Sequence, residues 1–288
     1  MRGSVKLIID GTQLFVRCQR AYGLNGLSDS KGRPTGVAWG YLRSLAAYRK
    51  RWPDAQVCVC WDGTSRRRKD LFAGYKINRE PRNHDINFEH TWLRDILPFM
   101  GVTQHENPIE EADDVMASLA AAHPSEFVVV ATTDRDMLQI VAHSVNLWCP
   151  PVGDNPQKLY DIHAVLAEYG VLPCRVLDLR ALCGDTSDDV PGVPGIGPKT
   201  ASKAVQKHGA VHALLASDMA ALTPRQARLI REHEATVRLN LDLLKLYTVP
   251  YDTREATPDP ERAAEMMRDL DMRPELLIEG EARQLPLF

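Results

Sequence analysis

The first half of the chain alternates two patterns. Short unbroken apolar runs, VKLIID (5–10), AQVCVCWDG (55–63), EFVVVATTD (126–134) and VNLWC (145–149), have the length and β-branched content of buried strands. Between them GVAWGYLRSLAAYRK (36–50), HTWLRDILPFM (90–100) and EADDVMASLAAA (111–122) space their apolar residues as helices do. The alternation predicts an α/β fold, a mostly parallel sheet flanked by helices. From about residue 161 strands give way to DIHAVLAEYG, CRVLDLRALCG, KTASKAVQKHG and the long PRQARLIREHEATVRLNLDLLKLY, a helical second lobe. Beyond Pro250 the chain turns polar and irregular and ends EARQLPLF. The expected division is a core over 1–168, a helical lobe over 169–250, a return segment over 251–281 and a tail over 282–288.

Three of the predicted strands end in an acid: Asp10, Asp62 and Asp134. In a parallel sheet the ligand site lies beyond the carboxyl ends of the strands. Glu111, Asp113 and Asp114 open a predicted helix, Asp136 follows Asp134, and Asp185 and Asp188 precede a Gly/Pro turn. On the helix Asp113 and Asp114 project about 100° apart and face different neighbourhoods, whereas Glu111 and Asp114 share a side. Convergent carboxylates repel by on the order of 4 kcal/mol per close pair. They therefore hold protons or surround hard cations. Oxygen-only ligation, without convergent His or Cys, favours Mg²⁺ or Mn²⁺ over Zn²⁺. Helix capping or a surface charge explains any one acid, Asp188 or Asp189 above all; strand-terminal acids together with two acidic pairs make a site.

The net charge of −3 conceals a basic segment: residues 64–83 hold seven bases against two acids. Arg66, Arg67 and Arg68 lead it, with Phe72 and Tyr75 interleaved, directly after Asp62. Charges that track phosphates and rings that stack on bases suit a single-stranded nucleic acid. GVPGIGPKT (192–200) is not a phosphate-binding P-loop, because Pro198 separates the last Gly from Lys199 and a helix precedes it. It reads as a hairpin between helices. Gly192, Gly195 and Gly197 bare the backbone to a phosphate, and the helix entered at Lys199 and Thr200 presents its positive end. The six cysteines form no CxxC pair and read as buried small hydrophobes in a reducing compartment. No apolar run is long enough for a signal peptide or a membrane span, so a cytoplasmic protein is expected.

IIDGTQLFVR (8–17), CWDG (60–63), YKINR (75–79), EADD (111–114), TTDRDMLQ (132–139) and GDTSDDVPGVPGIGPKTA (184–201) occur in that order. Together they make the sequence resemble the 5′-nuclease (flap endonuclease) family, especially its stand-alone phage-type members and the 5′–3′ exonuclease domain of bacterial DNA polymerase I. The resemblance covers roughly residues 5–210. It implies a PIN-like nuclease core, an arch over about 64–92 and a helix-hairpin-helix DNA-binding motif. It further implies hydrolysis of DNA at 5′ flaps, branches or nicks with two or more Mg²⁺ or Mn²⁺ ions, and a K⁺ ion at the hairpin. Asp10, Asp62, Glu111 and Asp113 would form one metal cluster; Asp114, Asp134, Asp136, Asp185 and Asp188 would form a second. Tyr75, Lys76 and Arg79 match the arch base, where Lys and Arg contact the scissile phosphate, and Arg17 matches a further phosphate contact. The family usually has Asn where this chain has Asp189.

Gln284, Leu285, Leu287 and Phe288 resemble the peptide by which bacterial replication proteins dock in the sliding clamp. The resemblance implies a monomer acting in replication and repair. Two rivals remain. A haloacid-dehalogenase-type phosphatase would need an acid at Thr12, and a silent module that only binds branched DNA would lack some of the nine carboxylates.

Overall fold

The computed structural model describes residues 5–23, 26–78, 87–220 and 222–274. Among them one sheet contains β1 (Val5–Asp10), β2 (Ala55–Trp61), β3 (Thr103–Glu106), β4 (Phe127–Ala131), β5 (Val145–Cys149), β6 (Lys158–Tyr160) and β7 (Asp252–Arg254). The spatial order is β6-β5-β4-β1-β2-β3-β7. The five inner strands run parallel, and β6 and β7 close the edges antiparallel. The strands read as continuous apolar runs because both faces are covered. Leu7 and Ile9 of β1, with Val57, Val59 and Trp61 of β2, enter one core; Ile8, Cys58 and Cys60 enter the other.

Around the sheet lie α1 (Gly11–Tyr22), α2 (Gly36–Arg51), α3 (Arg66–Leu71), α4 (Asn87–Ile96) and α5 (Ala112–Ala122). The second lobe comprises α6 (Ile162–Tyr169), α7 (Val176–Cys183), α8 (Pro198–His208), α9 (Val211–Ala216), α10 (Pro224–Glu232) and α11 (Glu234–Leu244), and α12 (Pro260–Asp269) follows. The long helical pattern after Pro224 is two helices rather than one. They break at His233, whose ring nitrogen Nδ1 lies 2.9 Å from the Leu229 carbonyl and competes for the helix's own acceptor.

The return segment rejoins the core. β7 pairs with β3, and α12 buries Ala263 and Met267 in the cluster that holds Leu7 and Trp61. The short β3, β6 and β7 carry too few apolar residues to be read from periodicity. Cysteines 18, 58, 60 and 149 are buried as expected, but Cys174 is exposed, because it lies in a surface turn entering α7. Among the described residues no helix is long and apolar enough to cross a membrane.

Candidate active site

Register brings the strand-end acids together. Asp10 pairs with Cys60, and Ile9 pairs with Ala131, so β1, β2 and β4 finish at one rim. Gly11 and Gly63 let the chain turn there without side chains. A Cβ on Gly11 would stand 2.3 Å from Val59 Cγ1, and one on Gly63 would stand 2.2 Å from the Asn107 carbonyl oxygen. Hence α1 starts against β2, and Asp62 lies at the head of α5, where its Oδ1 accepts the Ala112 amide at 2.9 Å. Asp10 accepts from the Gln13 amide at 2.8 Å and from the Thr132 hydroxyl at 3.0 Å. Capping and site formation are thus the same act for these two acids. Each of these bonds uses one of the two lone pairs on the oxygen that accepts it.

The electrostatics are those of crowded carboxylates. Burial, then Asp62, pushes the Asp10 carboxyl up to about 7. Burial, then Asp134 and Asp10, raises Asp113 well above the carboxylate range. Asp134 is also raised by burial and by Asp188 and Asp185, and Asp136 is pushed up to about 7 by burial and Asp134. Asp134 therefore stands between the two expected clusters.

Two internal cations sit among the acids. The Arg180 Nε donates to Asp136 at 2.8 Å, and the same guanidinium pairs with Asp185. Lys76 Nζ lies 2.5 Å from Glu111 Oε1 and 3.5 Å from Asp188 Oδ2. Burial alone would raise Glu111, yet Lys76 and Arg68 hold it down at about 2. The Tyr75 hydroxyl lies 3.0 Å from both Glu111 and Asp188, and burial and those two acids push it far up. A narrow cavity is lined by Tyr75, Glu111, Asp113, Asp136 and Asp188 together with Arg68, Leu243, Leu244 and Leu246. Among the described residues no three His, Cys, Asp or Glu side chains converge on one metal-sized point.

The structure separates several residues from this rim. Asp114 faces away, fully buried, with Oδ2 2.5 Å from Arg68 Nη1, Oδ1 3.0 Å from Nη2, and the Tyr247 amide bonded to Oδ1 at 2.8 Å. Arg68 is itself only 3% exposed and also donates to the carbonyls of Leu243 and Lys245, so it is closed to DNA. Asp114 thus pairs with Arg68, and the roughly 100° step from Asp113 along α5 turns it to a different neighbourhood. Arg17, expected to contact phosphate, donates to the Tyr48 hydroxyl at 2.6 Å, in the packing of α1 on α2.

Arg66 is exposed, and half-exposed Arg67 pairs with Glu110 and lies over the Tyr247 ring. Arg79, Gln284, Leu285, Leu287 and Phe288 lie outside the described residues.

The predicted hairpin joins α7 to α8. Gly192 is there for packing rather than phosphate access, since its Cβ would meet the Cys183 carbonyl oxygen at 2.0 Å. Gly195 supplies a turn with φ +78°, and at Gly197, the N-cap of α8, a Cβ would meet nothing within 4 Å. Lys199 is exposed beside it and Thr200 half-buried. Asn240 holds the hairpin to α11 through the Ala181 and Pro191 carbonyls, at 3.0 and 2.8 Å.

Sequence reading missed Thr12, Ser65, Thr132 and Arg180, which orient the acids. Thr12 accepts the Asp62 amide and the Ser65 hydroxyl donates to Glu111, at 2.8 and 2.5 Å. Arg180 carries the one available signal, a base one helical turn before GDTSDD.

Comparison with known proteins bears on the family and the fold. The family profile of the 5′-3′ exonuclease N-terminal resolvase-like domain matches residues 5–170, and that of the 5′-3′ exonuclease C-terminal SAM fold matches residues 171–260. The 5′-3′ exonuclease of Aquifex aeolicus is 30% identical over 275 residues, covering 92% of each chain. The thermostable DNA polymerase I of Thermus aquaticus is 32% identical over 272 residues, but the match spans only 32% of that protein. A crystal structure of the T5 D15 protein with metal ions shares the fold, with a TM-score of 0.67 and 19% identity over 96% of this chain and 99% of that one. On these matches to both halves of the protein, the chain belongs to the 5′-3′ exonuclease family.

Proposed function

We propose that this protein is a structure-specific 5′ nuclease that hydrolyses DNA phosphodiesters at flaps and ends with the help of divalent cations. The observation that carries the reading is the gathering of Asp10, Asp62, Asp113 and Asp134 at the carboxyl rim of the sheet. Their charges are mutually repulsive, and burial and crowding raise three of these carboxyls. The donors are oxygen-only, the chemistry of Mg²⁺ or Mn²⁺ sites, and would have to close around the ion, since no three of the described acids converge on one point. Asp10, Asp62, Asp113 and Asp134 would hold one ion and Asp134, Asp136, Asp185 and Asp188 a second, with Glu111 beside both.

Bound divalent cations supply a water of lowered pKa and neutralise developing negative charge. The chain's own residues do the rest. Lys76, already 2.5 Å from Glu111, swings its ammonium between that carboxylate and the attacked phosphate, and there offsets charge as it builds. The resemblance gives Arg79 the same task, and exposed Arg66 would add positive charge for the strand. The open N-terminus of α8 at Gly197, with Lys199 and Thr200, suits a duplex phosphate, and this turn is where a K⁺ ion would be held.

The test places the protein with a 5′-labelled flap DNA and Mg²⁺, beside a phosphate monoester. Short 5′ products that vanish in EDTA, with the monoester intact, are expected. Monoester hydrolysis alone would favour the phosphatase, and DNA binding without cutting would favour the silent module. The terminal QLPLF supports a sliding-clamp partner: deleting 284–288 is expected to abolish clamp capture while leaving cleavage intact.

A further inference from the structure

We infer that Asp189 is a positioning residue that anchors the arch base and so sets the place of Lys76; the inference rests on the nuclease reading above. Two non-glycine residues in left-handed backbone face each other at this point, Lys76 at φ +54° and Asp189 at φ +58°. A long side chain such as Lys adopts that conformation only when its surroundings impose it.

The imposing contacts are visible. The Lys76 amide donates to the Asp188 carbonyl at 3.0 Å. Two residues on, the Asn78 amide donates to Asp189 Oδ2 at 3.1 Å, and its side-chain Nδ2 donates to Asp189 Oδ1 at 2.8 Å. Asp189 thus receives both donors of one residue, and Lys76 is held on each side by the turn that carries Asp188. That turn is itself rigid: Asp185 and Val190 exchange both backbone bonds at 2.8 Å.

This contact assigns a task to the position where the family usually has Asn. Asn and Asp are the two non-glycine residues best suited to left-handed backbone, and both offer an oxygen to the Asn78 amide. An Asn at 189 also donates its NH₂ to the Asn78 carbonyl oxygen once that amide turns over. The required property is a short acceptor in left-handed backbone. Negative charge and metal ligation are not.

The experiment compares Asp189→Asn, Asp189→Ala and Asp189→Gly in the full-length protein. Glycine tolerates the backbone without supplying an acceptor, so it separates anchoring from strain. Asp189→Ala and Asp189→Gly should each lower kcat by about tenfold, within what the loss of the two hydrogen bonds to Asn78 can cost, with KM for flap DNA and the Mg²⁺ half-saturation unchanged. Asp189→Asn should behave as the parent.

Amide hydrogen exchange over residues 72–78 gives a readout that needs no activity. It should quicken in the Ala and Gly variants and not in the Asn variant. Unchanged exchange in Asp189→Gly overturns the anchor even if the parent protein cuts no DNA. Parent-like kcat in that variant, or a loss of Mg²⁺ affinity in Asp189→Asn, also overturns it. A parent that cuts nothing while exchange still quickens would sink the nuclease reading and leave the anchor standing.

Discussion

The Arg68–Asp114 pair is the sharpest point at which structure departs from sequence, and Asp114→Asn tests it. Arg68 spans from α3 to α5 and to the chain leaving α11, with four hydrogen bonds to Asp114, Leu243 and Lys245. Both side chains are shut from water, 3% and 0% exposed. An Asn at 114 turns an NH₂ toward a guanidinium that has only donors, and leaves a buried cation half-compensated. Removing one partner of a buried pair costs about 3–5 kcal/mol, which in a protein of this size is a fall in melting temperature on the order of 10 °C.

Thermal unfolding should be followed by circular dichroism in EDTA and again in Mg²⁺, for the parent, Asp114→Asn, Arg68→Met and the double variant. The fall should be the same in both buffers. The double variant should lose less than the two single losses added, because no charge is left unpaired. If Asp114 held a metal, the variant would match the parent in EDTA and fall behind only when Mg²⁺ is added; that pattern would refute the ion-pair assignment.

Further outcomes follow from the same geometry. Asp10 and Asp136, raised to about 7, keep protons in the folded state that an unfolded chain releases near pH 4. Stability in EDTA should therefore fall as pH rises from 6 to 8, by about 1 kcal/mol per group; a melting temperature that is flat or rising would contradict the crowding, and saturating Mg²⁺ should remove the slope. Gly192→Ala should cost about 3 kcal/mol, since its Cβ would stand 2.0 Å from a backbone oxygen that cannot step aside, whereas Gly197→Ala meets no atom and should cost only the weaker N-cap, about 1 kcal/mol or less. Lys76→Ala should lower turnover about a hundredfold or more while flap-DNA affinity changes little; equal losses in both would deny it a catalytic role.

Much of this protein is written locally. The runs at 5–10, 55–63, 126–134 and 145–149 name their strands, because a strand buried on both faces must be apolar throughout. Once the sheet is parallel, Asp10, Asp62 and Asp134 must reach one rim, so the heart of the site was legible before any coordinates. The i, i+3 spacing already placed Glu111 and Asp114 on one side of α5, and Arg68 does lie near both, at 3.6 and 2.5 Å.

Partner choice was not legible. A carboxylate in a sequence has the same charge whether it will meet a metal, a capped amide or a guanidinium. Only the packing of α3 beneath Leu243 and Lys245 gave Asp114 its partner in Arg68, and only the approach of the 185–190 turn to the arch base gave Asp189 a partner in Asn78. Gly192 was chosen by a carbonyl nine residues earlier in the chain and not by a phosphate. Such choices depend on distances between segments far apart in sequence or facing across a turn. Those distances are fixed when two cores close on either side of one sheet, and no local pattern of residues encodes them.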